Sequence, residues 1–171
     1  MIVIVMGASG AGKTTVGQAL SAASGFTFHD ADDLHPPVNV EKLRVGDPLT
    51  DEDRSPWLER VRSLVIALAH RREDAVLACS ALRESYRQRL AGDSADVRWV
   101  YLRASRDVLR ERLARRQGHF ADPSILATQL AVLEEPENAL VLDGARPVAD
   151  LVQEICAAFA IDCRREPSSR T

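Results

Sequence analysis

The sequence predicts an α/β fold: a single three-layer α/β/α domain over residues 1–161, built on a five-stranded parallel sheet, with residues 162–171 as a flexible tail. Three observations predict it. Short apolar runs of strand length alternate with segments of helical period along the whole chain, and that alternation requires crossovers and therefore parallel strands. The runs are continuously apolar, not alternating, as suits strands buried on both faces. The first run passes through a glycine-rich turn straight into a helix, so strand, loop and helix follow in the order of a phosphate-binding unit. Right-handed crossovers then put helices on both faces of the sheet.

The first strand is Met1-Ile-Val-Ile-Val-Met6, and Gly7-Ala-Ser-Gly-Ala-Gly12-Lys13-Thr14 after it fits G-x-x-x-x-G-K-S/T. Gly7, Gly10 and Gly12 let the backbone turn tightly and bring its N–H groups against phosphate oxygens. Lys13 offers a compact ammonium to the β- and γ-phosphates, and the Thr14 hydroxyl can ligate Mg²⁺. The helix that begins at Lys13 turns its N-terminal dipole to the same anion. Of 22 Lys+Arg only residues 13 and 42 are lysine, so a chain that otherwise uses arginine keeps a point charge where a guanidinium fork does not fit. The loop thus points to a P-loop NTPase fold, with a nucleotide phosphate as the expected ligand.

Val16, Ala19, Leu20 and Ala23 share one face of the first helix, which Gly25 can stop. Phe26–His29 is the second strand, and Asp30-Ala-Asp32-Asp33 follows it. Val38–Val45 reads as a short helix closed by Gly46, and 47–54 as a polar loop. Ser55 as N-cap and Pro56 at the first helical position open a long helix with Leu58, Val61, Val65 and Leu68 inward, ending near Arg72. Ala75–Cys79 is the third strand, with Ser80 at its end, and Leu82–Leu90 a short helix. Val97–Leu102 is the fourth strand. Ser105 caps a helix to about Gln117, with Val108, Leu109 and Leu113 inward and arginines outward. A helix opened by Pro123 is expected to run to about Glu135, before a fifth strand at 139–143 and a last helix at 148–160. The ligand belongs at the carboxyl ends of the strands, where Gly7, Asp30 and Ser80 fall. Residues 33–72 read as a helical, substrate-binding insertion and 117–123 as a lid.

The totals exclude several classes. A net charge of −3 gives no reason to expect nucleic acid. No apolar run approaches the ~20 residues of a membrane span, and the opening run lacks the basic start of a signal peptide. Cys79, Cys156 and Cys163 are widely spaced without a C-x-x-C pair, which argues against a disulfide framework or zinc site and fits a reducing cytoplasm.

Asp30 and Asp32, one residue apart just past a strand end, can divide two jobs beside the loop. Phosphate-loop proteins usually carry an aspartate at the end of a neighbouring strand; here the third strand ends in Ser80, and Asp30 is the natural replacement. Asp143 also ends a strand, but one expected further from the loop, with a structural part. Arg54 can grip a carboxylate through a bidentate pair or simply join Asp51 or Asp53. Arg83 and Arg87 follow the third strand at the ligand end. Arg112 and Arg116 lie on one helical face leading to the lid, where Arg112 can stack on or pack against adenine and Arg116 can neutralise phosphate as the lid closes, or both can belong to a solvated basic face. Trp57 is expected to pack, and Cys79 to be a buried strand residue and not a nucleophile.

The loop together with Asp30-x-Asp32-x-Leu-His35-Pro36, Asp51-x-Asp53-Arg54-x-Pro-Trp57-Leu58, Cys79-Ser-Ala-Leu-Arg83-x-x-Tyr86-Arg87, Arg112-x-x-x-Arg116-x-Gly118-His119-Phe120 and Leu133-Glu-Glu-Pro136 resembles the gluconokinases of the shikimate-kinase-like P-loop group, up to about Val152. Where that family usually has an aromatic residue after Gln129 and a threonine before Leu133, this chain has Leu130 and Val132. The resemblance implies transfer of the γ-phosphoryl group of ATP to the 6-hydroxyl of D-gluconate, with Mg²⁺, in a cytoplasmic homodimer, the product entering the pentose phosphate or Entner–Doudoroff route. It implies Lys13, Asp32 and Arg116 as catalytic residues; Gly7, Ala8, Ser9, Gly10, Ala11, Gly12, Lys13, Thr14, Thr15, Arg112 and Arg116 around the nucleotide; Asp32, His35, Arg54, Arg83, Arg87 and His119 around gluconate; and Thr14 and Asp30 at the metal. Asp32 would orient or deprotonate the acceptor hydroxyl and Asp30 would hold Mg²⁺ through water. Two other readings stay open at this point: another small-molecule kinase of the same group, and an ATP-binding module without phosphoryl transfer.

Overall fold

The computed structural model describes residues 1–92, 96–115 and 123–163. Its strands are β1 (Ile2–Met6), β2 (Thr27–Asp30), β3 (Ala75–Ala78), β4 (Val97–Arg103) and β5 (Leu140–Asp143), all parallel in the order β2-β3-β1-β4-β5. The helices are α1 (Lys13–Ser24), α2 (Pro37–Arg44), α3 (Asp51–Arg71), α4 (Glu84–Ala91), α5 (Arg106–Arg115), α6 (Pro123–Ala131) and α7 (Val148–Phe159). Every residue of β1 is buried, as its unbroken apolar run requires of a central strand covered on both faces.

The strand period of two sorts that run into two cores. Val3 and Val5, with Val76, Val100 and Leu102, meet Val16 and Leu20 of α1, Leu109 and Leu113 of α5, Leu126 of α6 and Leu151 and Ile155 of α7. Ile2, Ile4 and Met6, with Leu77 and Tyr101, meet Trp57, Leu58, Val61, Val65 and Leu68 of α3 and Leu90 of α4. These are the three layers the alternation predicts. Ala78 is in register with both Val5 and Asp30, so the end of β2 lies at the same sheet edge as the loop that leaves β1. That edge, with β1 flanked by two strands that come later in the chain, is a topological switch point.

Three local expectations are corrected. α3 starts at Asp51, not after Ser55: the Thr50 hydroxyl accepts from the Asp53 N–H at 3.2 Å while the Asp53 carboxylate accepts from the Thr50 N–H at 2.9 Å. That reciprocal capping box outweighs the pull of Ser55 and Pro56, and Pro56 sits inside the helix, leaving the carbonyl of exposed Glu52 without a helical donor. α6 ends at Ala131, because the segment after it is held by other bonds: Glu134 donates its N–H to the Leu82 carbonyl at 2.8 Å and accepts from the Glu84 N–H at 2.6 Å. Cys156 and Cys163 form a disulfide. Seven residues of continuous helix would part them by about 10 Å, but α7 stops at Phe159, Ala160 takes a left-handed conformation (φ 53°), and the chain doubles back to bring the two Cα atoms to 6.1 Å. Cys79 alone keeps a free thiol, and it is buried. The expected lid at 117–123 falls largely outside the described residues, as do Arg116, Gly118 and His119 themselves.

Candidate active site

The loop leaves β1 in a conformation that only glycine accepts. Gly7 has φ 143°, and a Cβ there would come within 2.8 Å of the Leu102 carbonyl oxygen on the adjacent strand. Gly12, at φ 97°, is the N-cap residue of α1 and turns the backbone into the helix. Ala8 and Ala11 are buried beneath the loop, and the Gly7 N–H donates to the Ser80 carbonyl at 3.4 Å, which ties the loop to the end of β3.

On this base the reactive side chains gather. Lys13 Nζ donates to the Ala8 carbonyl at 3.2 Å, so the ammonium is folded back over the start of the loop. Thr14 Oγ1 donates to Asp30 Oδ2 at 2.8 Å, and Asp30 Oδ1 accepts from the Asp32 N–H at 3.0 Å. Asp30 therefore links the loop to the turn that carries Asp32, whose exposed carboxylate no hydrogen bond or ion pair ties down among the described residues. A hydroxyl and a carboxylate side by side are hard oxygen donors and fit Mg²⁺, which takes few protein ligands and completes its shell with phosphate and water. Among the described residues no cluster of three His, Cys, Asp or Glu forms a metal cage, and Mg²⁺ with a nucleotide does not need one.

A cavity of about 150 Å³ opens beside the loop, and Ser9, Lys13, Asp32, His35, Arg54, Trp57 and Ser80 line it together with Val40 and Leu43 of α2 and Gln129 of α6. Residues 19 to 44 positions beyond Lys13, from Asp32 to Trp57, thus meet it around one hollow. The insertion is braced internally. Lys42 Nζ reaches both Asp53 oxygens at 2.8 Å, and buried Asn39 donates to the Asp53 carbonyl at 2.7 Å. Lys42 first, then the Thr50 N–H, holds the Asp53 carboxyl below the usual carboxylate range. Trp57 is buried, donates its indole N–H to the Ala31 carbonyl at 2.7 Å, and stacks on His35 with ring centroids 4.7 Å apart and planes 11° from parallel.

Asp51 is an anionic hub at the start of α3. It accepts from Arg83 and the Tyr86 hydroxyl, each at 2.6 Å, and from Arg54 at 3.2 Å. The Tyr86 hydrogen bond first, then Arg83, keeps its carboxyl below the usual range. Arg83 reaches the cavity wall only through this carboxylate and is not itself part of the lining. Arg87 is placed elsewhere: it is 4% exposed and spends its guanidinium on the Ala81 and Leu82 carbonyls and on Glu84. It braces the turn after β3, in which Ala81 holds the left-handed φ of 42° that a side chain disfavours. On the other side of the loop, Thr15 and Arg112 line a groove with Gly10, Ala11 and Gly12, and Arg112 donates to the Gly10 and Ala11 carbonyls at 3.4 and 3.3 Å. Burial pushes the Cys79 thiol up to about 12, which removes it as a nucleophile.

Gln129, in the cavity wall, escaped the sequence reading. The Ser9 N–H donates to Gln129 Oε1 at 2.7 Å across 120 residues. The available signal was a polar side chain placed three and four positions after buried Leu126 and Ile125, on the inward face of α6.

His35 carries a pH dependence. Burial lowers its pKa from 6.5, Asp32 opposes that shift, and Arg54 adds to it. The unfolded chain takes up this proton on acidification before the folded protein does, so stability is held above pH 6.5 and falls as the pH drops from there towards the lowered folded value. Thermal unfolding midpoints of the protein and of His35→Gln between pH values of about 7.5 and 5 check this. The acid-side loss should shrink in the variant, and an unchanged slope would remove His35 from the account.

Comparison with known proteins gives four findings. The family model described as an AAA domain matches residues 2–136. The chain is 47% identical over 159 residues to the gluconokinase of Gluconobacter oxydans (strain 621H), covering 91% of this chain and 89% of that one. A crystal structure of a gluconokinase from Sinorhizobium meliloti 1021 superposes with a TM-score of 0.81 at 43% identity, covering 92% and 90% of the two chains. The shikimate kinase of Aquifex aeolicus vf5 matches at a TM-score of 0.65 over 94% of this chain and 96% of its own, and at 17% identity it bears on the fold alone.

Proposed function

The chain belongs to the gluconokinase family, and from that premise we propose that it transfers the γ-phosphoryl group of ATP to the 6-hydroxyl of D-gluconate, giving 6-phospho-D-gluconate and ADP. The observation that carries this reading is the shared cavity: Lys13 from the phosphate-binding loop, Asp32 from the turn after β2 and Arg54 from α3 all face it.

In this reading the loop N–H groups and Lys13 hold the β- and γ-phosphates, and the Thr14 and Asp30 oxygens hold Mg²⁺, which when bound supplies charge neutralisation to the phosphates. Asp32 accepts the proton of the acceptor hydroxyl as its oxygen attacks the γ-phosphorus, and the bond from that phosphorus to the β-phosphate oxygen breaks to release ADP. Arg54 turns from Asp51 to the gluconate carboxylate, while Arg83 and Tyr86 keep the Asp51 carboxylate occupied. The insertion over about residues 33–72 is the acceptor-holding part of the domain. Among the described residues no helix is long and apolar enough to cross a membrane. A cytoplasmic homodimer is the setting that the family resemblance supports, and light scattering checks the assembly.

The direct test is ADP release that depends on gluconate, with phosphogluconate identified as the product. Release of ADP at the same rate with and without any sugar acid would leave only a nucleotide-binding module. Arg54→Lys is expected to raise the gluconate KM about tenfold or more while the ATP KM moves little, because lysine keeps the charge and loses the fork. Steady-state kinetics with each substrate varied in turn check this, and equal effects on both would take Arg54 out of the carboxylate site.

A further inference from the structure

Gln129 holds a group that the nucleotide needs. Its Oε1 takes the Ser9 N–H at 2.7 Å, and Ser9 is one of the loop residues whose amides face phosphate. Ser9 and Lys13 line the same cavity as Asp32, so the phosphate that reaches this part of the loop is the one presented to the acceptor. That phosphate is the terminal one of a nucleoside triphosphate. A diphosphate ends before it.

We propose that Gln129 is a positioning residue that senses the γ-phosphate: ATP displaces its carboxamide from the Ser9 N–H, ADP does not, and the released carboxamide turns to the acceptor hydroxyls in the same cavity. The inference rests on the reading of ATP as phosphoryl donor. The backbone of α6 need not move, because Leu126 and Ile125 anchor it in the protein interior while Gln129 is only half-buried. The side chain alone makes the exchange. A carboxamide suits it, since its oxygen can accept from the loop and its NH₂ can donate to a hydroxyl. The consequence is an acceptor site completed when the triphosphate is present and withdrawn once ADP has formed.

Calorimetry with a non-hydrolysable ATP analogue and with ADP, each with and without gluconate, tests this on the full chain. Gln129→Ala frees the Ser9 N–H, so the analogue should bind about fivefold more tightly while ADP affinity stays put. The same variant should lose the enhancement of gluconate binding by the analogue. Gln129→Glu keeps an oxygen for the N–H but sets a negative charge against the phosphate, so the analogue should bind several-fold more weakly, again with ADP unchanged. Opposite shifts for the two variants, confined to the triphosphate, are what a merely structural glutamine would not give. Parallel shifts of analogue and ADP, or no shift in either variant, overturn the proposal. Because these are binding measurements, they decide the matter even if gluconate turnover fails, in which case the enzymatic reading fails separately.

Discussion

Lys13→Ala should lower phosphoryl transfer by about two to three orders of magnitude, the usual effect of deleting one charge that stabilises a transition state. The fold should survive. Lys13 is half-buried, and its only side-chain hydrogen bond among the described residues is to the Ala8 carbonyl, so truncation opens no hole in either core and strands no buried charge. Turnover at saturating gluconate, with a thermal midpoint measured alongside, separates the two effects. Near-normal turnover would sink the assignment of this loop to the phosphates. A collapse of the midpoint would instead say that the ammonium holds the loop together.

Asp32→Asn should lower kcat by about two to four orders of magnitude, the range of general-base catalysis. Asparagine keeps the shape and the backbone N–H that Asp30 accepts, so the Thr14–Asp30 pair should persist and the ATP affinity should hold. Single-turnover rates at fixed saturation check the first expectation and nucleotide titration the second. A kcat within about tenfold of the starting protein would assign Asp32 to holding the hydroxyl and not to removing its proton.

Much of this was legible in the chain because it is written in local patterns. A central strand announces itself by an unbroken apolar run, and the loop by glycines at fixed offsets from Lys13. Asp30 and Asp32 were readable because strand ends in a parallel sheet point to one edge. What the sequence hid were bonds made at a distance. Arg54 reads as a carboxylate ligand or as a partner of Asp51; the structure shows the ion pair and the cavity lining together. Arg87 sits at the ligand end of the fold, yet two carbonyls on the turn after β3 and the Glu84 carboxylate at the start of α4 draw it inward. Ser55 and Pro56 are sound local start signals for a helix, and the Thr50–Asp53 box placed five residues earlier overrides them. The Cys156–Cys163 bond depends on a left-handed alanine that no propensity favours. Gln129 could be tied to Ser9 only by knowing where α6 lands.

The stack of His35 on Trp57 has an optical consequence. One of the chain's two tryptophans projects from the helix that carries Arg54 against the turn that carries Asp32, its indole N–H bound to Ala31 and its ring against an imidazole. The other, Trp99, lies on β4 and lines a separate hollow with Arg87 and Glu134. Imidazole is a quencher of indole emission, and most effective when protonated. A shift of the insertion by a fraction of a ring diameter would therefore alter the emission of Trp57 and leave that of Trp99 alone. The protein carries its own fluorophore in the wall of the acceptor cavity, and with Trp99 replaced by phenylalanine that signal would follow the insertion without any attached dye.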